Sequence, residues 1–226
     1  MKIFKRLLLT LLILALCIPA YADALPQREF ADMNSESAVV LRALGMIKES
    51  QKYTDDTVTR SEFANSVIMS VFDSLPKGEQ VYDLTVRDGG LYQLLSAGVI
   101  SGDGDGKIRP NDEITVCEAV KISLSMLGYD ERAKADGGYP SGYLKLASRL
   151  KLLNGVAQGG SEKLTYISFI NLLQNVIDCE VMELVSYSPL GQSSYKKVSG
   201  KTLISAYRNI YSGEGVITAT EASGLY

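Results

Sequence analysis

Histidine and tryptophan are both missing from this 226-residue chain. Without an imidazole it cannot assemble Ser-His-Asp or Cys-His catalysis, or a histidine-containing zinc site. Carboxylate-pair chemistry stays formally open. Cysteine is scarce as well: there are three, and Cys17 falls in the leader described below. Cys117 and Cys179 alone are no disulfide framework, and sequence does not decide whether they form one bridge.

Long apolar runs are also lacking. Leu7 to Ile18 is an apolar stretch of about a dozen residues, too short to span a bilayer comfortably. Lys2, Lys5 and Arg6 precede it and Ala20-Tyr21-Ala22 follows, so residues 1–22 read as a signal peptide cleaved after Ala22. The mature chain is then expected to be secreted, with no membrane span. Basic charge is in deficit too. Removing the three leader cations leaves 20 basic residues against 26 acidic ones, a net charge of −6. A nucleic-acid-binding chain would normally be basic, so that class is excluded.

What is present begins with a conspicuous loop, "SGDGDGKIRPNDEIT", from Ser101 to Thr115. As a calcium loop starting at Asp103 it puts Lys107 at position 5, Ile108 at position 6 and Ile114 at position 12, where ligands and a glycine are required. As a Walker A loop it has Ser101 where the first glycine belongs and Ile108 after the lysine. No metal, phosphate or cofactor is expected here. The glycines supply positive φ, the aspartates bond to local backbone, and Pro110 stiffens the exit.

Self-comparison gives the loop its context. "ALGMIKES", "SAGVISGD" and "LKLLNGV" align so that Gly45, Gly98 and Lys151 fall 53 residues apart, which indicates three copies of one unit. Each copy opens with an apolar helical stripe: Val40, Leu41, Leu44 and Ile47; then Leu91, Leu94, Leu95 and Ile100; then Leu144, Ala147, Leu150 and Leu153. After a polar loop, each second helix starts at a threonine, Thr59, Thr115 or Thr165. Glu62 and Glu118 sit three residues on and complete capping-box patterns, whereas the third copy has Ser168 there. Helical spacing then continues through Phe63, Val67 and Val71, through Val116, Val120, Leu124 and Leu127, and through Phe169, Leu173, Val176 and Ile177. One such helix pair cannot bury its apolar faces alone, but three packed together can.

Past Cys179 the pattern changes. "EVMELVSY" reads as a strand, "LGQSSYKKVSGK" as polar loop, Thr202 to Tyr211 as a short helix and "GVITAT" from Gly215 as another strand. The expected organisation is a signal peptide over 1–22, a mainly α repeat domain over 23–179 with units near 30–75, 81–130 and 134–179, and a small α+β extension over 180–226.

These residues resemble the S-layer homology (SLH) family of Gram-positive-type bacteria, the Firmicutes. Its hallmark is "GxxxGxxDGxFxPNxxITRAE", and the second copy reads "GVISGDGDGKIRPNDEITVCE" from Gly98 to Glu118. The family's F-x-D opening is matched by "FADM" at Phe30 and "VYDL" at Val81, with "KADG" at Lys134 as a degenerate third. "GGYPSGYLKLASRLKLLNGV" from Gly137 resembles a third-repeat form of the same family. The resemblance implies three helix-loop-helix repeats around a pseudo-threefold axis. It also implies grooves that bind an acidic, often pyruvylated, secondary cell-wall polysaccharide, with no cofactor and no catalysis. Other surface-layer proteins are a second class of partner, reached if the repeats act only as a scaffold.

Family grooves use the arginine of the Thr-Arg-Ala-Glu motif, an aspartate from the repeat start and an aromatic residue. Here that implies Arg60 as the cation, since Val116 and Tyr166 replace it in the other copies. Asp32, Asp83 and Asp136 are the implied aspartates, and Tyr143 and Tyr166 candidates for stacking on sugar. Each also has a plain structural reading: solvated cation, turn or cap residue, core aromatic. Helix N-terminal amides beside Arg60 would let it hold a carboxylate bidentately. Glu62 and Glu118 are read entirely as caps, and Cys117 as a small buried hydrophobe.

Overall fold

The computed structural model describes residues 28–49, 52–186 and 194–211. The leader and the "GVITAT" stretch lie outside the described residues. Among those described, the chain is mostly helical: α1 Glu36–Ala43, α2 Arg60–Ile68, α3 Gly89–Ser96, α4 Val116–Met126, α5 Asp130–Ala135, α6 Ser141–Arg149 and α7 Tyr166–Asp178. A two-stranded antiparallel sheet, β1 Glu180–Ser186 and β2 Ser194–Thr202, is followed by α8 Leu203–Tyr207.

The three threonines cap the helices predicted for them, with unequal chemistry. Thr115 forms a complete capping box: its hydroxyl accepts from the Glu118 amide, and Glu118 accepts from the Thr115 amide at 2.9 Å. At Thr59 the hydroxyl accepts from the Glu62 amide at 3.1 Å, but the Glu62 carboxylate pairs with Lys52 at 2.5 Å. Thr165 makes no side-chain cap, and its Oγ1 is buried without a partner among the described residues. Ser168, which stands where the glutamate would be, accepts from the Ala157 amide instead.

One residue before each threonine, the chains meet. The Val58 amide donates to the Leu164 carbonyl at 3.1 Å, Leu164 to Ile114 at 2.9 Å, and Ile114 to Val58 at 2.9 Å. The ring closes on itself. All three side chains are fully buried. Helix packing is cyclic in the same sense, with α2 against α3, α4 against α6, and α7 against α1. Gly90 permits the first of these approaches, because a Cβ there would stand 2.4 Å from the Ala64 backbone.

The predicted stripes are largely the buried faces. Leu41, Phe63, Val67, Leu91, Leu94, Val120, Leu124, Phe169 and Leu173 share one core. Val40 is 37% exposed, however, and in α6 the face turns by about a residue. Tyr143, Leu146 and Ala147 are buried there, while Leu144, Leu150 and Leu153 only flank the core. The i, i+3, i+4 set starting at Tyr143 is the buried face of α6, a helix that packs against α4 and α5.

The stretch predicted as polar loop is partly β2, which pairs Met182 with Lys197 and Leu184 with Tyr195. A sequence of alternating polar residues has no apolar face to announce itself; its order comes from the backbone of β1. Nor does this region stand apart from the helices. The Met182 amide donates to the Leu127 carbonyl at 2.8 Å, and Tyr129 Oη donates to the Glu180 carbonyl at 3.0 Å. Gly128, at φ +82°, makes room, since a Cβ would lie 2.3 Å from the Met182 oxygen. Val181, Leu203 and Ile204 join the common core. Among the described residues, Cys117 and Cys179 are both free.

Arg208 completes the docking. Its guanidinium donates to the carbonyls of Leu44 at 2.8 Å and Met69 at 2.9 Å, the C-caps of α1 and α2, and to Asp73 at 3.1 Å. A planar cation is well suited to satisfying the orphan carbonyls of two helix ends at once. Arg208→Ala is therefore expected to lower stability by about 2–4 kcal/mol, with Arg208→Lys recovering only part. Urea denaturation midpoints would check this; unchanged midpoints would show that the Arg208 contacts contribute nothing to stability.

Candidate functional site

The Gly102–Pro110 loop is a turn built on aspartate chemistry. Asp103 Oδ1 accepts from the amides of Asp105 at 2.9 Å and Lys107 at 3.0 Å, and its Oδ2 pairs with Arg109 at 2.5 Å. Asp83, 25 residues upstream of Ile108, binds the loop from outside by accepting from the Ile108 and Arg109 amides at 2.7 and 2.8 Å. Burial alone would push the Asp83 carboxyl up. The two amide donors outweigh it, and the net pKa lies below the ordinary carboxylate value.

This loop also forms one wall of a cleft of ≈ 660 Å³, whose lining includes Arg60, Lys107, Arg109, Glu118, Lys121, Tyr139 and Lys163. The Arg60 side chain is largely enclosed, at 19% exposed. Its Nε donates to the Ile108 carbonyl at 2.9 Å, and its Nη1 pairs with Glu118 Oε1 at 2.5 Å. Glu118 thus does more than cap α4: one oxygen serves Thr115 and the other holds Arg60. Burial raises the Glu118 pKa, but Thr115 and Arg60 together bring it below its ordinary value.

The amides beside Arg60 are not free, which corrects the expected mode of anion capture. The Arg60 amide donates to the Asp112 carbonyl and the Ser61 amide to the Pro110 carbonyl, both at 2.9 Å. The same two positions in α4 donate to Glu162 and Gly160, and in α7 to Asp56 and Thr54. Every one of these helix N-termini is occupied by a neighbouring loop. An anion in this cleft must be met by side chains. Lys107, Lys121 and Lys163 line it and form no ion pair among the described residues.

The sequence-predicted residues do not converge. Arg60 lines this cleft, whereas Asp83 and Tyr166 line a second cleft of ≈ 1110 Å³ together with Glu49, Glu62 and Asp88. Four acidic residues stand there against Lys48 and Arg87, an acidic excess unfavourable for an anionic polymer. Tyr166 is 2% exposed, near Phe169 and beneath Lys52, whose Nζ is 5.1 Å from the ring centroid. Asp32, Asp136 and Tyr143 line neither cleft. Asp32 accepts from the Asn34 amide, a local turn. Asp136 pairs with Arg149 and Arg132. Tyr143 is 2% exposed and gives its hydroxyl to Asp130. Sequence reasoning missed Lys121 and Lys163, which fall outside the quoted motifs, and Tyr139, which lies within the stretch quoted from Gly137 but was not singled out.

Comparison with known proteins agrees with the motif reading. Residues 89–115 match the S-layer homology domain family. Over 183 residues, 75% of this chain, the sequence is 24% identical to a surface layer protein of Brevibacillus choshinensis, covering 16% of that protein. It is likewise 24% identical over 183 residues to a middle cell wall protein of Brevibacillus brevis (strain 47 / JCM 6285 / NBRC 100599), covering 17% of it. The chain therefore spans about one-sixth of the length of these relatives.

Two expectations follow from the loop. Because the folded Asp83 pKa is depressed, its stabilising effect is fully present above the ordinary carboxylate range near 4 and is lost as pH falls through the folded value. Asp83→Asn should cost about 1–2 kcal/mol at pH 7 and progressively less toward pH 3, read from urea melts at each pH. Millimolar calcium should leave the melting temperature unchanged, since the Asp103 oxygens already serve backbone amides and Arg109. A calcium-dependent rise that disappears in Asp103→Ala would contradict this.

Proposed function

We propose that this S-layer homology chain is a secreted cell-surface protein held noncovalently at the cell wall, binding an acidic, pyruvylated secondary polysaccharide in the cleft that Arg60 lines. The observation that carries the reading is that cleft: an enclosed arginine with three further lysines on its walls that form no ion pair among the described residues, Lys163 donating to the Glu113 carbonyl at 2.8 Å. Five cations and four acidic residues line it, a slight excess of positive charge on a chain whose mature net charge is negative. The closed ring at Val58, Ile114 and Leu164 supports three helix-loop-helix repeats about a pseudo-threefold axis. No helix among the described residues is long and apolar enough to cross a membrane.

Chemically, the cleft is a receptor rather than a reaction centre. Arg60 is held rigid by Glu118 and the Ile108 carbonyl, leaving part of its guanidinium for a carboxylate of the polymer. Lys121 and Lys163 supply longer-range attraction. Asp83 shapes the wall by holding Ile108 and Arg109 in place. A second reading, a scaffold of the surface layer that meets other surface proteins, is favoured by Val116 and Tyr166 standing where further arginines would be.

The test is sedimentation of the mature protein with protein-stripped walls, before and after chemical removal of the secondary polysaccharide. Binding should vanish with the polysaccharide and fall as salt rises. Lys121→Glu combined with Lys163→Glu should weaken it about ten-fold or more. Arg60→Ala should cost roughly 1.5–3 kcal/mol of binding and also some stability, because Glu118 loses its partner. A parent protein that fails to sediment with intact walls moves the assignment to the scaffold reading.

A further inference from the structure

We infer that the second cleft, where Tyr166 stands in the place that Arg60 holds in the first, docks a basic amphipathic segment of another protein. The inference is independent of the polysaccharide reading, which concerns the other cleft.

The two clefts are built from equivalent positions of the repeated unit. Each has on its wall the glutamate three residues after one cap threonine, Glu118 in the first and Glu62 in the second. Each also has the residue that directly follows another cap threonine, Arg60 in the first and Tyr166 in the second. Their charge is opposite. Five cations and four acids line the first, whereas four acids and two cations line the second.

Those acids are only partly neutralised from within. Glu62 pairs with Lys52 at 2.5 Å, and the exposed Glu49 lies 3.8 Å from Arg42. Asp83 and Asp88 form no ion pair among the described residues. Neutral donors fix them instead: the Ile108 and Arg109 amides for Asp83, the Ser61 and Thr85 hydroxyls for Asp88. Burial alone would raise the Asp88 carboxyl, but those hydroxyls and the Thr85 amide outweigh it and keep the group below its ordinary range. Two carboxylates thus line the cleft ionised and without a cation of their own.

The apolar lining decides between positively charged ligands. Met46, Ile47, Met69 and Phe169 form a buried floor, and Leu75, 39% exposed, stands on the rim. Unbranched methionine side chains shift readily to fit differing apolar partners. A small amine or a hydrophilic amino sugar would use the carboxylates and leave this lining idle. A segment carrying leucine-like side chains between lysines or arginines uses both. The size agrees, since ≈ 1110 Å³ exceeds the range of about 300–1,000 Å³ usual for small-molecule pockets.

The probe is a fluorescein-labelled peptide of leucine and lysine in amphipathic order, titrated with the mature protein and read by fluorescence anisotropy. The parent should bind it, and a peptide with serine for leucine should bind about ten-fold more weakly. Glu49→Lys with Asn111→Lys, both at exposed positions, removes one acid and adds two cations, so four acids against two cations become three against four. This pair should weaken binding about ten-fold or more, and Leu75→Ser about three-fold. Asp178→Lys with Asn154→Lys makes the same change of charge outside both clefts and should leave binding within about two-fold of the parent's. Melting temperatures near the parent's establish that the variants are folded. If the cleft pair does not fold, Leu75→Ser and the peptide series decide. A parent that does not bind, a control pair that weakens binding as much as the cleft pair, or equal binding of the serine and leucine peptides overturns the inference. So does a glucosamine oligomer that displaces the labelled peptide at lower concentration than the unlabelled peptide does, which would assign the cleft to an amino sugar. Wall sedimentation reads the polysaccharide proposal separately, so the failure of either leaves the other standing.

Discussion

Three backbone hydrogen bonds, Val58 to Leu164, Leu164 to Ile114 and Ile114 to Val58, hold together everything else in this molecule. Each joins residues at least 50 positions apart, so each closes a long loop whose entropy must be offset at once by burial. The fully buried side chains of the same three residues provide that burial. Because one ring residue precedes each helix-capping threonine, forming the ring also sets where the three second helices begin. It brings every loop against the N-terminus of a neighbouring helix, where two of the loop carbonyls satisfy two orphan amides.

This arrangement explains how charge is balanced across each junction between the arginine and glutamate positions of the cap motif. Across one junction Arg60 meets Glu118. At the next, the counterpart positions are Val116 and Ser168, so cation and anion are both lost and neither is left buried and unpaired. At the third they are Tyr166 and Glu62, and Lys52 takes over the missing charge by pairing with Glu62 above the Tyr166 ring. A buried carboxylate without its partner would cost several kcal/mol, and none of the three junctions leaves one. The departures from the family motif are thus electrostatically consistent, and they leave one cleft with surplus positive charge.

The segment after Cys179 is bound to the helices by the same kind of accounting. Helix ends leave carbonyls that need donors, and β1 and Arg208 provide them at α4 and at the paired ends of α1 and α2. Ser-Gly-Lys-rich β2 then follows β1 by backbone pairing, though its own sequence carries no apolar face.

Local chemistry was legible in the sequence wherever it repeats or is confined to a few neighbouring residues. The threonine caps, the helical stripes of α2, α4 and α7, and the Asp-Gly turn all rest on interactions spanning three or four residues. The ring residues lie 56 and 50 residues apart, off the 53-residue period because the loop of the second unit is longer, and it is the equivalent cap threonine after each that marks them. Tertiary structure alone decided which groups were already occupied. Nothing local to Arg60 says that its neighbouring amides serve Asp112 and Pro110, that Glu118 holds its guanidinium, or that Tyr143 is enclosed while Tyr139 stands open. Those outcomes depend on which loop reaches which helix end, and partners far away in the chain leave no trace in the spacing around a residue.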